Sequence, residues 1–268
     1  MTIKKIIFIF AIKLSLSNTI CPLNSEEAQK IGMLIWQNEA SGRTDLLVFW
    51  NQHESFPSLG IGNCIWYPEG QEASYTQQFP ALCDYLQKHD IQLPKWLEKA
   101  KLTGAPWKSR DEFLQDQRRT EELRLLLSST IDLQTNFMIK RLDEQWPLIL
   151  QVIPNEKKEQ IEYFFQLMKT SPLGSYALID YLNFKGSGLN PRESINEQGW
   201  GLLQVLLGIP SEATQENISQ AFAVSAAKIL LKRIENSAPE YPLIKFLHGW
   251  IKRVSTYTNP NSFDNNKL

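Results

Sequence analysis

Beyond residue 68 the chain has a helical pattern almost to its end, and this pattern limits the possible folds more than any other feature. Apolar residues recur there at intervals of three and four, and proline stands at joints between segments, as at Pro154, Pro172 and Pro210. Strand character is confined to residues 46–67. The sequence therefore predicts an α+β fold, mostly α, with one small antiparallel sheet and a larger helical lobe.

Nine helices are expected after the sheet, enough to enclose the core of a single domain. One of them begins with Ser109 and Glu112, which have the spacing of a capping box. The expected bounds are 76–88, 94–101, 109–129, 133–152, 156–170, 173–184, 200–207, 216–236 and 241–257.

A further helix is expected before the sheet, and it ends in an acidic residue. Asn24 can cap it together with Glu27, and an apolar stripe through Ile31 and Ile35 leads to Glu39. The sequence Ala-Ser-Gly follows, where a helix would stop. An acid at the end of an apolar stripe is either paired in the core or directed into a cleft.

The region of strand character contains a second acid. Two strands are expected over 46–50 and 59–67, joined by the polar stretch 51–55, which includes Glu54. We expect Glu54 to be the more hydrated and ionised of the two acids, whereas burial would raise the pKa of Glu39. Glycoside hydrolysis uses one carboxylic acid to protonate the leaving oxygen and a second group to position water.

The N-terminus has the features of an export signal. Lys4 and Lys5 precede the apolar run 6–12, and Ser15 and Ser17 have the spacing of a cleavage site, so residues 1–17 are predicted to be a signal peptide. A buried N-terminal strand or helix is the alternative. The domain would then cover 18–258, with a disordered tail at 259–268. The protein is expected to be exported, either to the periplasm or out of the cell.

Composition restricts the partners. Without the signal peptide the chain has 25 basic and 29 acidic side chains, a net charge of −4, and no long basic run, so nucleic acid is not an expected ligand. No later apolar run reaches the roughly 20 residues of a membrane span. The histidines, His53, His89 and His248, do not have the spacing of a metal site. No metal or cofactor is expected.

The three cysteines, Cys21, Cys64 and Cys83, allow one disulfide and one free thiol, or three unpaired thiols. A bond between Cys64 and Cys83 would join the sheet region to the following helix. Spacing does not decide among these possibilities.

A specific resemblance is carried by the order of residues around the sheet. Glu39 is followed by Trp50, then Glu54, and then the sequence Ser-Leu-Gly-Ile-Gly-Asn from Ser58 to Asn63. This order resembles phage-type lysozymes, in which a helix-ending Glu is followed by an aromatic residue, an Asp and Thr-Ile-Gly-Tyr-Gly-His. The chain departs from that pattern in having Glu54 for Asp, Ser58 for Thr and Asn63 for His.

Three later segments match the same family in the same order. Residues 177–186, which include Asn183, resemble its Leu-x-x-Phe-x-x-Asn-x-Gly helix. Residues 201–204 stand where a Ser-Thr-Leu-Leu segment is expected, and 248–253 are similar to its Gly-Leu-x-x-Arg-Arg signature. The matches span most of the chain after the signal peptide, so the resemblance is to a distant member of the lysozyme-like superfamily.

The resemblance implies a lysozyme-like fold and a muramidase that cleaves peptidoglycan or a related glycan. Glu39 would be the general acid, and Glu54 and Ser58 would hold the attacking water. The residues expected to contact the sugar are Trp50, Asn63, Asn183, Trp200 and Gln204.

Two alternatives remain open. Glu193-Ser194 and the segment 199–205 resemble motifs of soluble lytic transglycosylases, although the interval between them is shorter than in that family; Glu193 would then be both acid and base, with Trp200 and Gln204 beside the sugar. The other alternative is a non-catalytic wall-binding protein that keeps the fold. The sequence does not indicate the oligomeric state.

Overall fold

The computed structural model describes residues 23–238 and 242–259, and this part of the chain is mostly helical with a small antiparallel sheet, which confirms the predicted α+β class. The three strands are β1 (Val48–Phe49), β2 (Ser58–Leu59) and β3 (Cys64–Ile65). The helices are α1 (Ser25–Ala40), α2 (Phe79–Lys88), α3 (Lys95–Thr103), α4 (Arg110–Gln115), α5 (Gln117–Ser128), α6 (Ile131–Val152), α7 (Asn155–Lys169), α8 (Pro172–Lys185), α9 (Leu202–Leu207), α10 (Ile218–Glu235) and α11 (Leu247–Ser255).

Helix α1 forms as its sequence predicts. The Asn24 side chain accepts from the Glu27 amide at 2.9 Å, and the Glu27 carboxylate accepts from the Asn24 amide at 3.0 Å. Ile31 and Ile35 are fully buried. The helix stops at Ser41, which adopts a left-handed conformation and returns its backbone N–H to the last turn. Glu39 therefore lies in the final turn, with its orientation fixed by the buried stripe.

The sheet is smaller than expected. Its order is β1-β2-β3, with Val48 opposite Leu59 and Leu59 opposite Cys64. The single strand predicted over 59–67 is broken by a tight turn, in which Gly60 and Asn63 both have positive φ. Two short strands therefore replace one long strand, and the turn between them faces the end of α1.

Two predicted helices are divided in the structure. The segment 109–129 forms α4 and α5 because Asp116 leaves the helical conformation. Its carboxylate accepts from the Arg119 amide at 3.1 Å and from the Trp107 indole at 3.0 Å, so it caps the second helix. The predicted helix 241–257 contains α11, which is flanked by 3₁₀ turns at Leu243–Phe246 and Thr256–Thr258.

Helix α8 is the centre of the core. It packs against α1, α6, α7, α9 and α10, and each of its residues from Gly174 to Leu182 is buried. Because α8 is covered on all sides, its polar residues must be paired within the protein or directed to its open C-terminal end. Its last turns carry Asp180, Asn183 and Lys185 to that end.

Cys64 and Cys83 are buried free thiols, so the disulfide between them that the sequence allowed is absent. Burial raises the pKa of Cys64 to about 11, and it also raises the pKa of Cys83. Cys21, the predicted signal peptide and residues 260–268 lie outside the described part of the chain. None of the helices in the described part of the chain combines the length and the apolar composition of a membrane span.

The contact between α1 and α6 depends on Gly32. A Cβ at Gly32 would lie 1.9 Å from Oγ1 of Thr135 on α6. We therefore expect Gly32→Ala to lower the free energy of unfolding by about 1–3 kcal/mol, although alanine favours helices. Gly249→Ala is the control, since a Cβ on this exposed residue of α11 would meet open space. Urea denaturation measures the free energy of unfolding of both variants. Equal values for the two would contradict the close packing of α1 on α6.

Candidate functional site

A cleft of about 490 Å³ opens between the sheet and the helical lobe. The end of α1 and the turn between β2 and β3 form one side, and α6, α8 and α10 contribute to the other. The polar and aromatic side chains that line it include Glu39, Glu54, Ser58, Asn63, Tyr75, Arg141, Glu144, Asn183, Lys185, Glu193, Trp200 and Arg233.

The carboxylate of Glu39 lines this cleft and is held by three donors. Its Oε2 accepts from Nδ2 of Asn63 at 3.1 Å. Its Oε1 accepts from Nδ2 of Asn183 at 3.3 Å and from Nη2 of Arg253 at 2.7 Å. The side chain is only 13% exposed. Glu39 is therefore both paired and directed into a cleft, which combines the two possibilities that its sequence position allowed.

Arg253 extends this contact into a buried cluster. Asp180, which is fully buried, accepts from Nε of Arg253 at 2.8 Å and from Nη2 at 2.7 Å. Tyr257 donates to the same carboxylate at 2.5 Å. Burial lowers the pKa of Arg253, but the charges of Asp180 and Glu39 outweigh burial and raise it well above its ordinary value. One guanidinium thus donates to two carboxylates, that of Asp180 on α8 and that of Glu39 on α1.

Asn183 connects α8 to the sheet. Its Nδ2 also donates to the carbonyl oxygen of Gly62 at 3.0 Å. A Cβ at Gly62 would lie 2.9 Å from Oδ1 of Asn183 and from Sδ of Met138, so the turn can approach this closely only with glycine there. The next residue, Asn63, has a φ of 49°, which asparagine tolerates better than most residues.

Glu54 and Ser58 line the same cleft as Glu39. Ser58 is buried in β2, whereas Glu54 is an exposed residue of the loop before that strand. The indole of Trp50 donates to the backbone carbonyl of Glu54 at 2.9 Å and so holds the loop. The cleft walls partly desolvate the Glu54 carboxyl group, and this burial raises its pKa. Glu54 is thus the more exposed of the two acids, although the cleft withdraws part of its carboxyl group from water.

Glu193 lies at another part of the cleft, in a 3₁₀ turn. Its Oε1 accepts from the Thr76 amide at 3.1 Å, from the Thr76 hydroxyl at 3.3 Å and from Nδ2 of Asn190 at 3.1 Å. These bonds connect the loop before α2 to the loop after α8. Trp200 is nearly buried and also lines the cleft.

Two residues expected to contact sugar have other positions. Trp50 is 3% exposed, packs edge-on against Phe113 and lines a separate cavity with Arg110. Gln204 is occupied by backbone groups: it accepts from the Gly201 amide at 2.9 Å and donates to the Gly188 carbonyl at 3.2 Å. Neither residue lines the cleft. Trp50 instead holds the loop that contains Glu54, and Gln204 stabilises the start of α9.

Sequence reasoning missed three cations in the cleft wall, Arg141, Lys185 and Arg233. They come from α6, α8 and α10, and no spacing along the chain brings them together. Lys185, next to Gly186 at the end of α8, could have been suspected from its position in the segment that matches the lysozyme pattern. The other two occur on helices outside the segments that carry the resemblance.

Scans against protein-family models, curated proteins and solved structures found no match to this chain.

Replacing Arg253 tests the buried cluster. Arg253→Met would leave Asp180 and Glu39 without their shared cation, and we expect it to lower the free energy of unfolding by about 3–5 kcal/mol. Arg192→Met is the matched control because the pair of Arg192 with Glu72 is exposed; its effect should stay below about 1 kcal/mol. Chemical denaturation at neutral pH measures the free energy of unfolding of both variants. Similar losses in the two variants would mean that the buried pair contributes little to stability.

Proposed function

We propose that this chain is a distant lysozyme-like glycoside hydrolase that cleaves the glycan of peptidoglycan, with Glu39 as its general acid. The observation that carries the proposal is the position of Glu39 in the last turn of α1, a helix with one buried face, where it lines an open cleft that Glu54 and Ser58 also line. This arrangement supplies the acid and the water-positioning group that glycoside hydrolysis requires. The predicted signal peptide agrees with export to the periplasm or out of the cell, where such a substrate lies.

In the proposed reaction Glu39 gives its proton to the oxygen of the glycosidic bond as the bond to the anomeric carbon breaks. A water held by Glu54 and Ser58 attacks that carbon from the other face and gives its proton to Glu54. The products are two shorter glycans, one with a new reducing end. The raised pKa of Glu54 supports its role, because a carboxylate of higher pKa is a stronger base.

The contact between Glu39 and Arg253 must be compatible with a proton on Glu39. A guanidinium at 2.7 Å stabilises a carboxylate charge, which opposes the role of acid. Arg253, however, keeps two bonds to Asp180 whether or not Glu39 is charged. Protonation of Glu39 therefore leaves the buried arginine paired, and Asn63 and Asn183 remain to orient the carboxyl group.

The same contact favours a second candidate, a wall-binding protein without turnover. All three donors around Glu39 would hold a permanent carboxylate equally well. The cleft would then bind glycan and leave it intact.

A transglycosylase that uses Glu193 has less support. Glu193 lines the cleft, but Gln204, which that hypothesis places beside the sugar, is bonded to the backbone of Gly201 and Gly188.

Digestion of purified peptidoglycan tests the proposal. Wild-type protein should release fragments with hydrated reducing ends, and Glu39→Gln should lower the rate by at least about 100-fold with little change in stability. Glu159→Gln, an exposed change on α7, is the control and should keep the full rate. Mass spectrometry identifies the ends.

Other results of this digestion would support other functions for the protein. Anhydro ends that disappear in Glu193→Gln would support the transglycosylase. Intact glycan that the wild-type protein binds without cleaving would support the wall-binding protein, and an unchanged rate in Glu39→Gln would remove Glu39 as the acid.

A further inference from the structure

One corner of the cleft, formed by Lys185, Arg233 and Trp200, combines two cations with an aromatic wall. We call it the basic corner. The Nζ of Lys185 lies 3.8 Å from the ring centroid of Phe184 and 4.0 Å from that of Trp250. The guanidinium carbon of Arg233 lies 4.1 Å from the centroid of Trp200 and 5.3 Å from that of Trp250. Stacking on rings fixes both side chains beside the cleft.

Neither Lys185 nor Arg233 forms an ion pair within the described part of the chain. The Nε of Arg233 is buried and has no hydrogen-bond acceptor. Burial lowers the pKa of Lys185, and repulsion from Arg233 and then Arg253 lowers it further, while the charge of Glu39 offsets part of this effect. Burial also lowers the pKa of Arg233.

A third cation extends this positive region. Arg141 on α6 lines the same cleft, and burial lowers its pKa too. Its one hydrogen bond to a side chain is a long one, 3.5 Å to Oδ1 of Asn183. The charge of Glu193 acts on Arg233 and Arg141, and that of Glu39 acts on Lys185, but burial outweighs these attractions at all three cations. Partly desolvated cations that form no ion pair gain energy when an anion enters.

We propose that the basic corner is a subsite for a carboxylate carried by a sugar unit of the substrate. This inference rests on the proposed function and specifies its substrate as an acidic glycan. The two cations would bind the carboxylate, and the edge of Trp200 that lines the cleft would contact the same sugar unit. The carboxylate could come from an ether-linked side chain, as in an N-acetylmuramic acid unit whose stem peptide has been removed, because the peptide otherwise converts that carboxylate to an amide. It could also come from the ring itself, as in a uronic acid.

Binding of small saccharides to the wild-type chain tests this subsite without turnover. The probe is the disaccharide in which N-acetylglucosamine is linked to a reducing-end N-acetylmuramic acid with a free carboxylate. It lacks the bond from N-acetylmuramic acid to N-acetylglucosamine, which is the bond that a muramidase hydrolyses. The comparison ligand is the same disaccharide with that carboxylate converted to a methylamide. Ligand-observed NMR titration should show at least about tenfold tighter binding of the free acid.

Variants distinguish binding of the carboxylate at the basic corner from its attraction to positive charge elsewhere on the protein. Lys185→Gln and Arg233→Gln should each reduce the preference for the free acid, whereas Arg233→Lys should keep part of it. Arg192→Gln, which removes an exposed cation that does not line the cleft, should leave the preference unchanged. Far-ultraviolet circular dichroism checks that each variant is folded.

The outcomes distinguish the inference from the proposed function. Equal affinity for acid and amide, or a preference that survives in both glutamine variants, would overturn the subsite even if peptidoglycan is cleaved. A preference that depends on Lys185 and Arg233 would support the subsite even if no glycan is cleaved. Glucuronic acid bound as tightly as the muramic probe would assign the carboxylate to the ring.

Discussion

The contact of one arginine with two carboxylates is the interaction on which the site depends. Arg253 on α11 binds Asp180 on α8 and Glu39 on α1, and so connects the two ends of the described chain around the central helix. Buried charges are tolerated only when they are compensated, so these helices must assemble together. Tyr257 adds a further donor to Asp180. The orientation of the candidate acid is thus determined by packing more than 200 residues further along the chain.

The cleft has a local charge distribution that the whole chain does not suggest. The chain has nearly equal numbers of acidic and basic side chains, yet three half-buried cations line one cleft together with four glutamates. Two of those glutamates, Glu39 and Glu193, are fixed by surrounding donors. Lys185 and Arg233 stack on aromatic rings and, among the described residues, form no ion pair. In this cleft, which is partly shielded from water, the glutamates and the cations are held apart. This arrangement favours binding of a polar, acidic ligand.

Local patterns in the sequence predicted those features that depend on local interactions. The capping box at Asn24, the buried stripe of α1 and the confinement of strands to 46–67 are all found in the structure. The same patterns located Glu39 and Glu54, and the resemblance to phage-type lysozymes pointed to Ser58, Asn63 and Asn183. The structure brings all five residues to one cleft.

Features set by distant packing could not be predicted in this way. Asp116 divides a helix through a bond to Trp107, Trp50 turns into the core against Phe113, and Arg141, Lys185 and Arg233 meet only because α6, α8 and α10 converge. Digestion of peptidoglycan in ¹⁸O-labelled water shows whether Glu39 promotes hydrolysis of a glycosidic bond. If it does, the wild-type chain places one ¹⁸O atom in each new reducing end, and Glu39→Gln forms labelled product at least about 100-fold more slowly. Products without ¹⁸O, or labelled products formed equally fast by Glu39→Gln, would contradict this role of Glu39.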